Sequence, residues 1–503
     1  MNVEELLLYG RSNAVAIRAP GRKNLNYSIL RSNISRNMDE LYAFGIRRNS
    51  RVAIVMPNGP ELAALFLLVS QAGIAAPLNP NYRLKELKFY LSDLKADAIV
   101  IMEDDQSDIV RAAAEGNIPI IRLIPDLEAP AGSFCLSGVE LPNNLPRSKI
   151  KDTDIALLLH TSGTTSRPKL VPLCHKHLCA SAKNISQFLD LNPNDVCLNI
   201  MPLFHIHGLV AAVLSSLYAG ASVACSPGFN ALQFFSWLAE VRPSWYTAVP
   251  TMHQAILGRA NRNKQTLKSC PLRFIRSSSS ALPISVMEEL EKVFLAPVIE
   301  SYGMTEAAHQ MSSNPLPPRK RKPGSVGIAA GPDIAIMDSG GILMKTGAIG
   351  EIVIRGENVI EGYEGNEEAN RKSFSGDWFR TGDQGKIDSE GYIIVTGRLK
   401  EIINRGGEKI SPREVDEILS SHPLIAQAIA FAIPHPKLGE DIAAAVVLNS
   451  NIEVDIGEIK KFLVDRLAKF KVPKTIIVID ELPKGATGKI QRIGLAEKLG
   501  LVE

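Results

Sequence analysis

The sequence predicts an α/β protein: a large N-terminal domain of parallel-rich sheets covered by helices plus a small antiparallel barrel-like sheet, followed by a small mobile α+β C-terminal domain. Three observations predict this class. The chain has 503 residues, more than one compact core usually supports. Between about residues 50 and 350, short apolar runs alternate with longer segments of helical period. The pattern then changes twice, near residue 330 and near residue 400.

Strand, helix and strand repeat through the first part of the chain. The apolar runs that predict strands are VAIVM at 52–56, ADAIVIM at 96–102, SVACS at 222–226 and SWYTAVP at 244–250. The segments of helical period include PELAALFLLVSQAG at 60–73, LQFFSWLAEV at 232–241 and VMEELEKVF at 286–294. Strands that are apolar throughout and are joined through helices are typical of a parallel sheet covered on both faces.

Short strands punctuated by glycine and aspartate follow residue 330. The sequences DIAIMDSGG, GEIVIRGEN and GYIIVTGR predict a meander of antiparallel hairpins. From about residue 400 the pattern becomes a mixture of strand and helix. We therefore expect residues 1–397 to form the large domain and residues 398–503 to form the small one.

The predicted boundary segment, GRLKEIINRGGEKI at 397–410, combines dense charge with the pair Gly406-Gly407. That composition predicts an exposed, flexible connection. Ser411 follows as a candidate helix N-cap, with Pro412 at the first helical position and Glu414 completing a capping box.

Charge and hydropathy limit the partners. Lys and Arg total 56 and Asp and Glu total 53, so the formal net charge is +3 and gives no long-range attraction to nucleic acid or anionic membrane. The first residues place acids ahead of a short apolar run, unlike a secretory signal. The longest apolar run, 62–69, is well below the roughly 20 residues of a membrane-spanning helix. We expect a cytoplasmic protein without nucleic-acid or membrane partners, whose six cysteines stay thiols.

The most informative segment is LLLHTSGTTSRPKLVP at 157–172. A buried apolar strand leads into a loop rich in Ser and Thr, from Thr161 to Pro168, followed by Lys169. Hydroxyls, free backbone N–H groups and one cation suit a polyphosphate. By itself the cluster is equally typical of a polar surface loop, and it is not a Walker A loop.

Three further segments place polar groups where an apolar strand or a turn ends. SYGMTEAAH at 301–309 offers an aromatic ring, a hydroxyl and a carboxylate after the strand APVIE. TGDQG at 381–385 predicts a tight turn in which Asp383 can accept hydrogen bonds from two vicinal hydroxyls. PKGATGKIQR at 483–492 presents Lys489 on a glycine-rich loop.

In this order, the motifs resemble those of the adenylate-forming superfamily of acyl-CoA synthetases, firefly luciferases and nonribosomal-peptide adenylation domains. The resemblance includes MPLFHIHG and the GR segment near 398 and covers essentially the whole chain. It implies a ligase that uses ATP, Mg²⁺ and coenzyme A: a carboxylate attacks the α-phosphorus of ATP, and a thiol then displaces AMP. Monomer and homodimer both remain open.

The resemblance also implies roles for individual residues. The β- and γ-phosphates would be held by Thr161, Ser162, Gly163, Thr164, Thr165 and Lys169. Tyr302 would stack on adenine, and Asp383 and Arg398 would bind the ribose. Thr305 would contact the α-phosphate, and Glu306 would hold Mg²⁺. Lys489 would stabilise the charge that develops during adenylation, and Lys400 would be the hinge about which the small domain rotates. Gly406 and Gly407 would line the pantetheine tunnel, and His205 would gate that tunnel. Ser166 and Leu170 stand where the common loop has glycines, which predicts a somewhat stiffer loop.

The acid site is expected between MPLFHIHG, RFIRSSSSAL and YGMTEAAH. Ser277 to Ser280, His207 and His309 are polar groups that a fatty chain would leave unsatisfied at about 1–3 kcal/mol each, so they favour a small, polar, dianionic acid. Either histidine alone could be an ordinary packing residue. Several stretches, among them PLFHIHGL and MSSNPLPP, look especially similar to oxalyl-CoA synthetases. That resemblance implies oxalate, with its distal carboxylate held by His207, Ser279 and His309.

Three alternatives remain open at the level of sequence. One is a CoA ligase for another small polar, short-chain or aryl acid, and the second is an adenylation enzyme that loads a carrier protein. The third is a non-catalytic nucleotide-binding protein, which the retention of Lys169, Glu306, Asp383 and Lys489 disfavours. An oxygenase of the luciferase kind would require a substrate unsuited to so polar a pocket.

Overall fold

The computed structural model describes residues 1–140, 149–161, 168–449, 454–483 and 492–502. Two large sheets form its N-terminal part, as the alternating pattern predicts. Each is parallel at its centre and ends in antiparallel edge strands. In spatial order, the nine-stranded sheet contains Ile328–Ala329, His309–Ser313, Val298–Met304, Phe274–Ser277, Trp245–Ala248, Val196–Asn199, Ser222–Cys225, Val15–Arg18 and Leu25–Asn26. The seven-stranded sheet contains Phe134–Ser137, Ile120–Pro125, Ala98–Met102, Arg51–Val55, Ile74–Pro77, Ile155–Thr161 and Lys169–Cys174.

Helices cover the faces of these sheets. The α-helices of the N-terminal part are Val3–Leu6, Tyr27–Ala43, Pro60–Ala72, Leu84–Leu94, Asp108–Glu115, His175–Phe188, Ser215–Tyr218, Phe234–Val241, Pro250–Ala260, Lys264–Ser269, Ile284–Phe294 and Glu367–Ser373, with a π-helix at His207–Leu214 and 3₁₀ turns at Leu7–Tyr9, Asn261–Asn263 and Thr305–Ala307. Helix Pro60–Ala72 is buried apart from Glu61, and it contacts strands of both sheets. Its apolar sequence therefore belongs to a core helix. Among the described residues, no helix combines the length and apolar character that crossing a bilayer requires.

The predicted antiparallel meander after residue 330 is confirmed. Its five strands are Asp333–Met337, Gly350–Arg355, Phe374–Ser375, Trp378–Ile387 and Ile393–Arg398. The neighbouring pairs are antiparallel.

The C-terminal part has its own sheet and core. Its strands are Ile403–Arg405, Glu408–Ile410, Ile425–His435, Gly439–Leu448 and Thr475–Val478, its α-helices are Pro412–Ser420, Ile456–Val464 and Leu495–Lys498, and 3₁₀ turns lie at Leu399–Glu401 and Lys469–Lys471. Four strands are antiparallel and Thr475–Val478 joins in parallel, which is the expected α+β arrangement. The boundary between residues 397 and 398, at the last residue of strand Ile393–Arg398, stays a prediction.

Two local expectations for this part were wrong. Segment 397–410 is not a flexible connection: it contains a β-hairpin in which Ile403 and Ile410 are buried. Gly406 and Gly407, at φ of +60° and +98°, form its turn, where a side chain would be strained.

The capping box at Ser411 also does not form. The Ser411 hydroxyl donates to the carbonyl of Thr396, and Glu414 instead pairs with Lys471 at 2.7 Å. Helix Pro412–Ser420 still begins with proline in its first turn, so the start was correctly located although its mechanism differs.

Candidate active site

Three of the sequence motifs, YGMTEAAH, TGDQG and the GR segment, come together where the nine-stranded sheet approaches the antiparallel meander. Strand Val298–Met304 continues into the 3₁₀ turn Thr305–Ala307, so Tyr302 belongs to the strand while Thr305 and Glu306 belong to the turn. A Cβ on Gly303 would lie 1.5 Å from the carbonyl oxygen of His309. Only glycine therefore allows the chain to double back so closely here.

Several predicted site residues lie outside the described part of the chain. These are Ser162, Gly163, Thr164, Thr165 and Lys489. The two ends of the phosphate loop are described: Thr161 donates its hydroxyl to the carbonyl of Lys169 at 3.4 Å.

Tyr302, Asp383 and Arg398 form one hydrogen-bonded cluster. The Tyr302 hydroxyl donates to Asp383 Oδ2 at 2.5 Å, and Arg398 Nε donates to Asp383 Oδ1 at 2.9 Å. Burial, reinforced by the Asp383 charge, raises the pKa of Tyr302, and the Asp383 charge raises the pKa of Arg398. Each carboxylate oxygen can accept a further hydrogen bond, so Asp383 can still receive hydroxyls from a ligand.

Asp383 is not in a tight turn as predicted. It lies inside strand Trp378–Ile387, paired with Arg398 of the adjacent strand. The glycines on both sides of Asp383 give this segment the composition of a turn. The strand position fixes the cluster more firmly, because ladder hydrogen bonds set the register between the two charged residues.

Glu306 and Lys169 converge on a residue that the sequence did not single out, Tyr363. The Tyr363 hydroxyl donates to Glu306 Oε1 at 2.7 Å, and Lys169 Nζ lies 4.0 Å from the centroid of the Tyr363 ring. Burial lowers the pKa of Lys169, against the attraction of Glu306. The expected metal ligand and the expected phosphate-binding cation are thus close together.

The residues expected to act in thioester formation lie on separate elements of the chain. His205 is partly exposed, and its Nδ1 accepts the backbone N–H of His207 at 3.2 Å. Lys400 lies in the exposed turn Leu399–Glu401. Gly406 and Gly407 are exposed at their hairpin turn.

The three residues expected to hold the acid do come together. His207 Nδ1 lies 3.0 Å from Ser279 Oγ, and the rings of His207 and His309 pack edge to face with centroids 4.8 Å apart. His207 begins the π-helix His207–Leu214, an uncommon element that often marks functional sites.

A buried arginine lies behind these residues. Arg276 is fully buried, with Nη1 3.4 Å from His207 Nε2 and 3.5 Å from Thr247 Oγ1, and Nη2 3.2 Å from Gln310 Oε1. Within the described part of the chain, no carboxylate is among its partners. Burial lowers the pKa of Arg276 to about 9.

These contacts define the protonation of His207. A guanidinium can only donate, so Nε2 of His207 accepts from Arg276 and from the Thr247 hydroxyl, 2.6 Å away. Nδ1 then carries the proton and donates to Ser279 Oγ. The Ser279 O–H remains available to donate onward, towards an acceptor in the site.

Backbone strain coincides with the same residues. Ser279 has φ of +71° and His309 has φ of +96°, values uncommon outside glycine. Such strain persists where the surrounding structure maintains it and is concentrated at functional sites. The strained backbone directs two polar side chains towards His207.

Sequence reasoning missed Arg276, Thr247, Gln310 and Tyr363. A signal existed for Arg276, because an arginine in the middle of the apolar strand Phe274–Ser277 has to be buried and needs partners. Tyr363 has no comparable signal: it lies in the polar segment EGYEGNEEAN, and only the fold brings it to Glu306.

Comparison with known proteins places these features in a family. The model of the AMP-binding enzymes matches residues 8–364, and the model of the AMP-binding enzyme C-terminal domain matches residues 414–489. The ATP-bound structure of MatB from Rhodopseudomonas palustris is 29% identical, with 99% of each chain covered and a TM-score of 0.88. That likeness confirms the predicted fold class.

Two curated relatives extend over nearly the whole chain. A probable CoA ligase of Humulus lupulus is 44% identical over 496 residues, covering 97% of this chain and 94% of its own. The oxalate–CoA ligase of Arabidopsis thaliana is 43% identical over 490 residues, covering 95% and 94%.

Proposed function

The chain belongs to the AMP-binding enzymes, and from that membership we propose that it is an AMP-forming acid–thiol ligase that converts oxalate, ATP and coenzyme A into oxalyl-CoA, AMP and pyrophosphate. The general activity, acyl-CoA ligation through an adenylate, follows from the family. The choice of oxalate is the finer step, and it depends on the acid site.

The observation that carries this choice is the buried Arg276. A guanidinium fully removed from water without a carboxylate partner is costly. A dianionic acid supplies the missing charge: one carboxylate reacts while the other lies beside Arg276, His207 and Ser279. A fatty or aryl chain would supply neither a counter-charge for Arg276 nor an acceptor for the Ser279 O–H, and a buried donor without an acceptor costs about 1–3 kcal/mol.

The first half-reaction joins the acid to AMP. A carboxylate oxygen of oxalate forms a bond to the α-phosphorus of ATP, and the bond from that phosphorus to the bridging oxygen of pyrophosphate breaks. Thr305 would donate a hydrogen bond to the α-phosphate, and Lys489 would stabilise the charge that develops between carboxylate and phosphate. Asp383, Arg398 and Tyr302 would hold the nucleoside.

The second half-reaction transfers the oxalyl group. The sulfur of coenzyme A attacks the activated carbonyl carbon, its thiol proton is lost, and AMP leaves with the bonding electrons of the acyl–oxygen bond. In this scheme the small domain rotates about Lys400 between the two steps and brings Gly406-Gly407 to the pantetheine. His205, in the large domain, would gate the entrance of the tunnel.

The residues present suit Mg²⁺ carried by ATP. Magnesium usually binds one or two carboxylates together with substrate phosphates, and Glu306 offers an oxygen ligand beside Lys169. Among the described residues there is no group of three or more His, Cys, Asp or Glu that could hold a metal unaided. When bound, the ion would neutralise phosphate charge while Glu306 orients it.

The test is a panel of acids assayed for AMP and acyl-CoA formation. Oxalate should have the highest kcat/KM, ahead of malonate, acetate, benzoate and a medium-chain acid. Inert oxalate together with rapid turnover of an aryl or medium-chain acid would contradict the proposal. Adding free coenzyme A to preformed oxalyl-AMP should release AMP, whereas an enzyme that loads a carrier protein would not respond.

A further inference from the structure

One loop connects the phosphate-binding elements of the two large sheets. Residues 356–366 lie between strand Gly350–Arg355 and helix Glu367–Ser373. On one side the loop bonds to the turn that carries Glu306: the Ile360 N–H donates to the Glu306 carbonyl at 2.9 Å. On the other side the Glu364 N–H donates to the carbonyl of Leu170 at 3.1 Å, next to Lys169.

Tyr363 is the side chain of this loop that reaches both charged groups. Its hydroxyl donates to Glu306 Oε1 at 2.7 Å, and its ring face lies 4.0 Å from the Lys169 ammonium nitrogen. The backbone of Tyr363 is itself fixed by Asn370, which accepts its N–H at 2.7 Å and donates to its carbonyl at 3.0 Å. The phenol is therefore held at its backbone, its ring and its oxygen.

The phenol acts through fixed contacts. Its hydroxyl donates to Glu306 Oε1, and Asn370 holds the backbone of Tyr363 on both sides. A neutral O–H bonded to one carboxylate oxygen restrains the orientation of that carboxylate. The ring face attracts the ammonium without neutralising it, so Lys169 keeps its charge for phosphate.

We propose that Tyr363 is the positioning residue of the nucleotide site, setting the separation between the Glu306 carboxylate and the Lys169 ammonium so that metal and phosphate bind together. The inference rests on the proposed function, because it assumes Mg²⁺–ATP as the ligand. Tyr363 would touch neither ATP nor metal; it would act through its two neighbours.

A purely structural role is the competing explanation, since the ring also packs 6.3 Å from Phe379. Two substitutions separate the roles. Tyr363→Phe removes the oxygen that restrains Glu306 and keeps the ring under Lys169. Tyr363→Leu removes both. Tyr392→Phe is a matched control: Lys322 Nζ lies 4.4 Å from the Tyr392 ring centroid, and the Tyr392 hydroxyl donates to a backbone carbonyl.

The experiment is calorimetric titration with α,β-methylene-ATP, which cannot be cleaved to AMP, in excess Mg²⁺ or in EDTA. For Tyr363→Phe we expect binding about five- to tenfold weaker with Mg²⁺ and the same as in the unsubstituted protein in EDTA. Tyr363→Leu should weaken binding under both conditions, because the Lys169 contact is also lost. Tyr392→Phe should match the unsubstituted protein throughout.

Equal weakening of Tyr363→Phe with and without Mg²⁺, or no weakening at all, would overturn the inference while leaving the proposed function intact. An unsubstituted protein that binds no Mg²⁺–ATP analogue would overturn both. A double substitution gives a second measurement: if Tyr363 acts through Glu306, then Tyr363→Phe should add nothing to the Mg²⁺-dependent loss caused by Glu306→Gln.

Discussion

The nucleotide end and the acid end of the site satisfy their charges differently. At the nucleotide end, Arg398 pairs with Asp383 at 2.9 Å, and the Glu306 charge favours the protonated form of Lys169. At the acid end, Arg276 is buried among an imidazole, a hydroxyl and an amide. Among the described residues, the cations of the first end lie near carboxylates of the protein itself, whereas under the proposed function the substrate would supply the anion at the second.

The difference suggests how one family accommodates many acids. A nucleotide site that neutralises its own charges can stay unchanged among enzymes that all use ATP. An acid site can select its substrate through a charge that the protein leaves unpaired. A buried cation without a carboxylate partner favours a ligand that carries a carboxylate over one that does not. Substitutions at the two ends should therefore affect different kinetic constants.

The largest effect is expected for Lys489→Ala, because the resemblance assigns this lysine to adenylation. Loss of the ammonium should slow adenylation by about 10²- to 10³-fold, because charge developing in the transition state loses a placed cation. Thioester formation from synthetic oxalyl-AMP should be much less affected. Pyrophosphate release measures the first step, AMP release from the adenylate measures the second, and Lys437→Ala, at an exposed site, is the control. Equal loss of both steps would contradict the division of labour.

Arg276→Met should act at the acid end alone. We expect about a 100-fold lower kcat/KM for oxalate, the value of a lost charge-assisted contact, with the KM for ATP unchanged. The substitution would leave the buried Gln310 Oε1 without the donor that Arg276 supplies, at about 1–3 kcal/mol, so the melting temperature should fall and the kinetic constants are measured well below it. The control is Arg273→Met three residues earlier, where the arginine is half-exposed and pairs with Asp195 at 3.3 Å.

An increase in the KM for ATP equal to the loss for oxalate would show that the two ends are not separate. Undiminished turnover of oxalate would instead remove Arg276 from the acid site.

The pH profile should show the same asymmetry. Under the proposed function the protonated form of Arg276 binds the anion, and burial lowers the pKa of Arg276 to about 9. As pH rises through this value the cation is lost, so kcat/KM for oxalate should fall about tenfold per pH unit well above pH 9. The KM for ATP should not follow this fall. In Arg276→Met, the limb near pH 9 should disappear; its persistence would assign the titration to another group.

The fold was more predictable than the acid site. Alternation of apolar strands with helices identified the α/β class, and the four apolar runs named between residues 52 and 250 are strands in the structure, because burial on both faces leaves a continuous apolar signal. Asp383 was wrongly assigned to a turn because glycines flank it. Segment 397–410 was wrongly interpreted as a flexible connection because its many charged residues outweigh the two buried isoleucines of its hairpin. Local composition does not reveal pairing with a distant strand.

At the site, residues in motifs were found and residues outside motifs were missed. The resemblance named His207, Ser279 and His309 together, and the structure brings them into contact; that they hold the acid stays a prediction. Thr247 and Gln310 join them only because strands Trp245–Ala248 and His309–Ser313 lie in the same sheet as Phe274–Ser277, a fact that requires the three-dimensional topology.

The smallest expected effect tests whether strain at the acid end serves function. Ser279 holds φ of +71°, where glycine is more stable than serine by about 1 kcal/mol. Ser279→Gly should therefore raise the free energy of unfolding by about that amount, while kcat/KM for oxalate falls about three- to tenfold because the O–H is lost.

Ser279→Ala separates the two contributions, since alanine keeps the strain and lacks the hydroxyl. It should lose activity as Ser279→Gly does, without becoming more stable in denaturant unfolding. If alanine retains full activity, then the hydroxyl is not a ligand of the acid and the strained serine has only a packing role. If both variants lose activity equally and only glycine is stabilised, the protein tolerates strain at Ser279 in order to direct one hydroxyl at the substrate.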